Sequence, residues 1–207
     1  MPNIFEALGL RPVKSSKAKG AETATMVKPG SAQATAMAND ATKYAAAKQA
    51  ALDQLATLTE PSAASEKQKI ENDLVVAATA KAQAGDFAGG MTLLGQVAGR
   101  VAAAKKAAAA AFAEYDQKRA AAQALLDALR AHPQQAKVAT QIADAAAKLA
   151  GAKIFADKGE YGPAKLRVED ARVICVAAKT LADRHAVVAK KRADAVAIVN
   201  GGRGLLP

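Results

Sequence analysis

The side chains able to do chemistry are few and far apart. The 207-residue chain has a single cysteine, Cys175, and two histidines, His132 and His185. Structural zinc needs about four Cys or His ligands at close spacing, which these three do not supply. No carboxylate-x-x-His pair occurs, so a di-iron bundle site is not expected. Cys175 lies in the apolar run Val173-Ile174-Cys175-Val176 and reads as a small buried hydrophobe. His132 precedes Pro133 and reads as an exposed turn residue, whereas His185 falls on a helix seam. Glu169 and Asp170 are flanked by Arg167 and Arg172. Adjacent residues on a helix point about 100° apart, so the two carboxylates read as ion-paired surface, not an acid/base couple. The turn Asp86-Phe87-Ala88-Gly89-Gly90 lacks the Lys-Ser/Thr of a phosphate loop. Gly95-x-x-x-Gly99 sits in a segment too polar for a membrane dimer motif. No catalytic, metal or cofactor residue is expected.

The strongest charged feature is Lys190-Lys191-Arg192, accompanied by Lys179, Arg184 and Arg203. The formal net charge is +10, and more than half of it falls after residue 132. Such a cluster suits phosphate or an acidic protein, with salt-sensitive affinity. Aromatic residues are 3% of the chain, and none interleaves with this cluster, which disfavours base stacking. The expected partner is a protein, with an acidic partner or nucleic acid reached through residues 179–203.

The elements carrying these residues read as helices. Ala dominates the composition; it loses no side-chain entropy on entering a helix and buries little area. Period-two runs of β-branched and aromatic residues are absent, so no sheet is expected. From Phe87 to Leu129, apolar and long side chains recur at alternating steps of four and three: Phe87, Met91, Leu94, Ala98, Val101, Lys105, Ala108, Phe112, Tyr115, Arg119, Ala122, Leu126, Leu129. That spacing predicts one continuous helix, which needs partner helices along its length. A second seam runs Ile174, Ala178, Leu181, His185, Val188, Arg192, Ala195, Val199. A narrow Ala seam also suits a second copy of the chain, so a homodimer is a partner to consider.

Residues 1–38 read as a flexible segment. Ile4, Phe5, Leu8 and Leu10 lie on or near one face of a short helical turn that Asn3 can cap, and these four are the candidate docking residues. A Lys-, Ala-, Ser-, Thr- and Gly-rich linker follows, broken at Pro29-Gly30. A first helix is expected from Asn39 or Asp40 to about Leu58, burying Leu52, Leu55 and Leu58. A second is capped by Ser62 or Ser65 and runs to about Ala84, with Gly85 and Asp86 forming the next turn. Pro133 is expected to open a fourth helix. A fifth runs from Tyr161-Gly162-Pro163 to Val199, and residues 200–207 form a tail. No stretch is long and apolar enough to span a membrane and no general secretory signal is evident. The lone cysteine fits a reducing compartment. The chain is therefore expected in the cytoplasm, with export by a dedicated apparatus an alternative.

Displaced by 74 residues the sequence partly matches itself. Gly85-Asp86-Phe87 falls on Gly159-Glu160-Tyr161, and Leu52-Asp53-Gln54-Leu55 on Leu126-Asp127-Ala128-Leu129. The expected fold is therefore all-α: two three-helix bundles in tandem, residues 39–107 and 108–199, sharing the long helix with spectrin-like geometry. A single five-helix bundle, kinked at Gly89, Gly90, Gly95 or Gly99, is the alternative.

The stretch Ala-x-Ala-Gly85-Asp86-Phe87-Ala-x-x-Met-x-Leu-Leu94, the Ala/Lys-rich helix after it and Tyr115-Asp-Gln-Lys-Arg-Ala-Ala-Ala-x-Ala-Leu-Leu126 resemble the Ala-rich helical repeats of bacterial toxin-associated and contractile-injection-associated proteins. The likeness covers roughly residues 40–199; Pro163 and Lys165 depart from it in the second copy. It implies a non-enzymatic scaffold or cargo-carrying role in a secretion or toxin system. The alternative expectation is a basic, nucleic-acid-associated helical protein.

Overall fold

A computed structural model describes residues 32–203, with side chains to residue 200. The fold is all-α, and no strand occurs among the described residues. The chain divides into two compact units, Met1–Lys106 and Ala107–Pro207. Among the described residues no helix is long and apolar enough to cross a membrane.

In the first unit, helix α1 spans Ala32–Ala56. A 3-10 turn, Pro61–Ala63, leads into α2, Ala64–Ile70. A π-helical turn, Glu71–Val76, carries the chain without interruption into α3, Ala77–Gln83. Helix α4 is Phe87–Leu94 and α5 is Val97–Arg130, which crosses the division between the units. Tyr44 of α1 packs its ring 6.0 Å from that of Phe87, and its hydroxyl donates to Thr79 Oγ1 at 3.3 Å. Ile70 and Ala78 are wholly buried. Burying a side chain of Ile size contributes roughly 1.5–3 kcal/mol, whereas Ala contributes chiefly by letting helices approach.

In the second unit, a 3-10 turn, Gln135–Val138, precedes α6, Ala139–Asp157, and α7 spans Tyr161–Arg203. Leu126 and Leu129 of α5, Val138, Leu149 of α6, and Val168 and Cys175 of α7 form its core with a lining of alanines.

Four elements depart from expectation. The linker does not reach residue 38: α1 begins at Ala32, just past Pro29-Gly30-Ser31, because Ala32-Gln33-Ala34 and Met37-Ala38 are good helix formers. Its buried side is Ala41, Tyr44, Ala51 and Leu55, with Leu58 beyond its end, while Leu52 is exposed. Neither serine caps the second helix; the 3-10 turn with Pro61 at its start feeds it instead, and no side chain caps α2. Pro133 does not open α6, which starts at Ala139 after a turn and the 3-10 segment.

The fourth correction concerns the long helix. Phe87–Leu129 is not continuous: it is divided at Gly95-Gln96. The Gln96 N–H donates to Leu93 O at 3.1 Å, one residue short of the α-helical partner, and the Gln96 side-chain amide reaches back toward Thr92 O at 3.5 Å. Glycines at 89, 90, 95 and 99 lower helix propensity there by about 1 kcal/mol each against Ala.

The turns at Gly85 and Gly159 have one hydrogen-bond pattern. Both glycines lie in the left-handed region, at φ 84° and 77°. Asp86 N–H donates to Lys81 O at 2.9 Å and Glu160 N–H to Phe155 O at 2.9 Å, each closing a helix end as a Schellman turn. Asp86 then caps α4, accepting from Gly89 N–H at 2.8 Å.

Candidate functional site: the basic end of α7

Cys175 is 1% exposed, and burial pushes its thiol above the ordinary value of 9.0, with Arg130 acting the other way. Glu169 and Arg172 form an exposed pair at 2.6 Å on one helix, and Asp170 meets Lys148 of α6 at 3.1 Å. These carboxylates are surface ion pairs. His132 is not the exposed turn residue expected: its side chain is 17% accessible, its Nδ1 accepts from Gln134 N–H at 3.1 Å, and its Nε2 lies 3.2 Å from Asp183 Oδ1. Among the described residues, no three of His, Cys, Asp and Glu gather as metal ligands would.

A cleft between α5 and α6 has Leu126 and Leu149 in its floor and Arg119, Arg130 and Lys153 around it. Each cation already has a carboxylate on its own helix: Asp116 at 3.9 Å, Asp127 at 3.2 Å and Asp157 at 2.8 Å. Its charge is largely spent within the chain.

The end of α7 is different. Its buried face runs Ala164, Val168, Ala171, Cys175, Ala178, Ala182, and stops. His185 and Ala186 are half-buried, and every described side chain from Val187 to Asn200 is exposed. Five aliphatic residues stand in this bare segment: Val187, Val188, Val196, Ile198 and Val199. The expected basic cluster divides here. Lys179 is engaged by Asp183 at 2.8 Å. Arg184, Lys190, Lys191 and Arg192 have no ion-pair or hydrogen-bond partner among the described side chains. Arg203 belongs to α7, but its side chain lies outside the described residues, as do Ile4, Phe5, Leu8 and Leu10. The expected seam is shifted in phase: Cys175, Ala178 and Ala182 are buried, whereas Ile174, Leu181 and His185 are half-buried, and its being uncovered past Ala186 depends on where the partner helices end.

Comparison with protein-family models, with curated proteins and with solved structures finds no match to this chain.

Proposed function

We propose that the protein is a non-enzymatic helical interaction module whose partner docks on the end of α7. One observation carries this reading: four cations without partners among the described side chains stand among five exposed large aliphatic residues on a single helix segment. At several helix contacts elsewhere in the chain a cation meets a carboxylate. Lys165 of α7 meets Glu114 of α5 at 2.6 Å, and Arg100 of α5 meets Glu66 of α2 at 2.6 Å. In this reading the module serves a bacterial secretion or toxin system, as the resemblance implies, and Ile4, Phe5, Leu8 and Leu10 form a second docking or loading element. A second reading, nucleic-acid association, draws on the same unpaired cations.

The test is site-specific photo-crosslinking of the full chain in its source cells, with the crosslinker at position 193 or position 8. A covalent adduct to a protein is expected from position 193. Deleting residues 1–31 keeps the whole of α1 and should leave the melting temperature unchanged. That deletion should also reduce the yield of the position 193 adduct if the N-terminal element loads the same partner. No adduct from either position overturns the reading. Adducts to nucleic acid alone, with duplex affinity falling steeply between about 50 and 200 mM salt, favour the second reading.

A further inference from the structure

We infer that residues 188–199 of α7 form a docking seam for an acidic amphipathic helix of another protein. The inference rests on the interaction-module reading and names the partner's chemistry.

The seam continues an interface the molecule already makes. Ala178 and Ala182 are buried against the rest of the second unit, His185 and Ala186 are half-buried, and the same helical face goes on through Ala189, Ala193 and Val196. The 74-residue displacement supplies an internal precedent. It places Ala189 on Tyr115, Val196 on Ala122 and Val199 on Leu125. In α5 those three positions are buried or half-buried under α6 and α7. The end of α7 therefore repeats a helix face that, one register earlier, is covered by helices.

Charge decides what covers it. At 100° per residue, Arg192 flanks the seam on one side and Lys190 on the other. These are the positions at which paired helices place partner-selecting charges. The chain's own helix contacts are flanked by cross-helix pairs of this kind, such as Lys165–Glu114 and Lys148–Asp170. Among the described side chains no carboxylate pairs with Lys190 or Arg192, so the complement is a helix with Glu or Asp on both flanks. A second copy is the poorer complement, since the whole chain carries 29 Lys and Arg against 19 Asp and Glu. A lipid surface would call for one broad apolar sector, but Val187 and Ile198 lie on the opposite side of the helix from Ala189 and Val196.

The test uses the full chain and a fluorescent synthetic helix of about twenty residues, roughly 30 Å long, enough to cover the roughly 21 Å of the bare segment. The peptide has Leu and Ala at three-four spacing and Glu on both flanks; a control peptide has Lys on the flanks. Saturable binding of the Glu peptide is expected. Val196→Asp and Arg192→Glu should each weaken it about tenfold or more. Arg192→Glu should gain affinity for the Lys peptide by a comparable factor. Both side chains are exposed, so helicity should not change. Equal binding of the two peptides, or no binding of the Glu peptide, overturns the inference. So does a concentration-dependent dimer in light scattering that Val196→Asp abolishes. A crosslink from position 193 to nucleic acid, or to a basic protein segment, sinks this inference and leaves an interaction role standing; the absence of any crosslink sinks the role itself.

Discussion

His132 Nε2 and Asp183 Oδ1 lie 3.2 Å apart, joining the turn after α5 to α7 one residue beyond the last buried side chain, Ala182. The imidazole is oriented from its other nitrogen. Because Nδ1 accepts from Gln134 N–H, Nε2 carries the proton in the neutral ring and donates to the carboxylate. This contact marks where the bundle of the second unit ends and the bare end of α7 begins.

The first prediction concerns pH. The Asp183 carboxyl is held below its ordinary value of 3.8, first by the hydrogen bond from Lys179 and to a lesser degree by His132. The unfolded chain then binds that proton more tightly than the folded chain does. Its stabilising contribution is present above 3.8 and fades as pH falls through the lower folded value. Asp183→Asn should therefore destabilise at about pH 7, with the gap to the parent closing near pH 3. His132→Ala should show a smaller gap, since Lys179 still holds the carboxylate. Urea denaturation at several pH values reads both.

Two glycines in neighbouring turns should respond oppositely to alanine. A Cβ at Gly90 would come within 3.0 Å of the Ala78 carbonyl oxygen and of Tyr44 Cε2, so backbone or ring must move. Gly90→Ala should cost about 1–3 kcal/mol. A Cβ at Gly99, in the first turn of α5, would meet nothing within 4 Å. Gly99→Ala should gain roughly 0.5–1 kcal/mol, mostly from the restricted unfolded chain. Thermal melts of the two single variants decide the matter.

Much of this was written in the spacing of the long helix, though not all of its phase. Every seventh residue of the expected seam is buried: Phe87, Leu94, Val101, Ala108, Tyr115, Ala122 and Leu129. The residues between were off by one in the first half. Gly90, Val97 and Ala104 are buried where Met91, Ala98 and Lys105 were expected. A three-then-four step and a four-then-three step share the same heptad spine, and in an Ala-rich helix both intermediate positions look alike. Phe112 illustrates the slip: 49% exposed, it lies edge-on to Tyr161 at 5.9 Å rather than in the core. The glycine turns were legible because only Gly tolerates φ near +80° there. The basic triplet 190–192 was legible as composition, while its lack of partners depended on Lys179 taking Asp183 for itself.

Cys175 should behave as a core residue, not as a reactive thiol. It is buried and its thiolate is disfavoured by desolvation. Labelling with a thiol reagent at neutral pH should be slow in the folded protein and should rise with urea in step with the loss of helicity. Cys175→Ser should cost about 1–3 kcal/mol by burying a hydroxyl without a partner. Fast labelling with helicity intact would contradict this.

The π turn yields the last prediction. In the first unit the buried residues Ile70 and Val75 are five positions apart, with Glu71–Val76 winding as a π-helix between and around them. In the second unit the buried residues Ala145 and Leu149 are four apart on a regular α-helix; the 74-residue displacement places Val75 on Leu149 but Ile70 on Asp144, one residue before Ala145. A single surplus residue accounts for the difference, since one added residue in an α-helix is absorbed as a π turn. Asn72 is exposed within it. Deleting Asn72 should bring the Val75 side chain to the four-residue spacing, convert the segment to α-helix and change stability by no more than about 1 kcal/mol. Deleting Ala147, also exposed but with no surplus beside it, should rotate Leu149 away from the core and cost roughly 2–5 kcal/mol. Urea midpoints of the two deletions separate the cases: if they fall together, the extra residue in the first unit is a working part of its helix and not an insertion that the fold has absorbed.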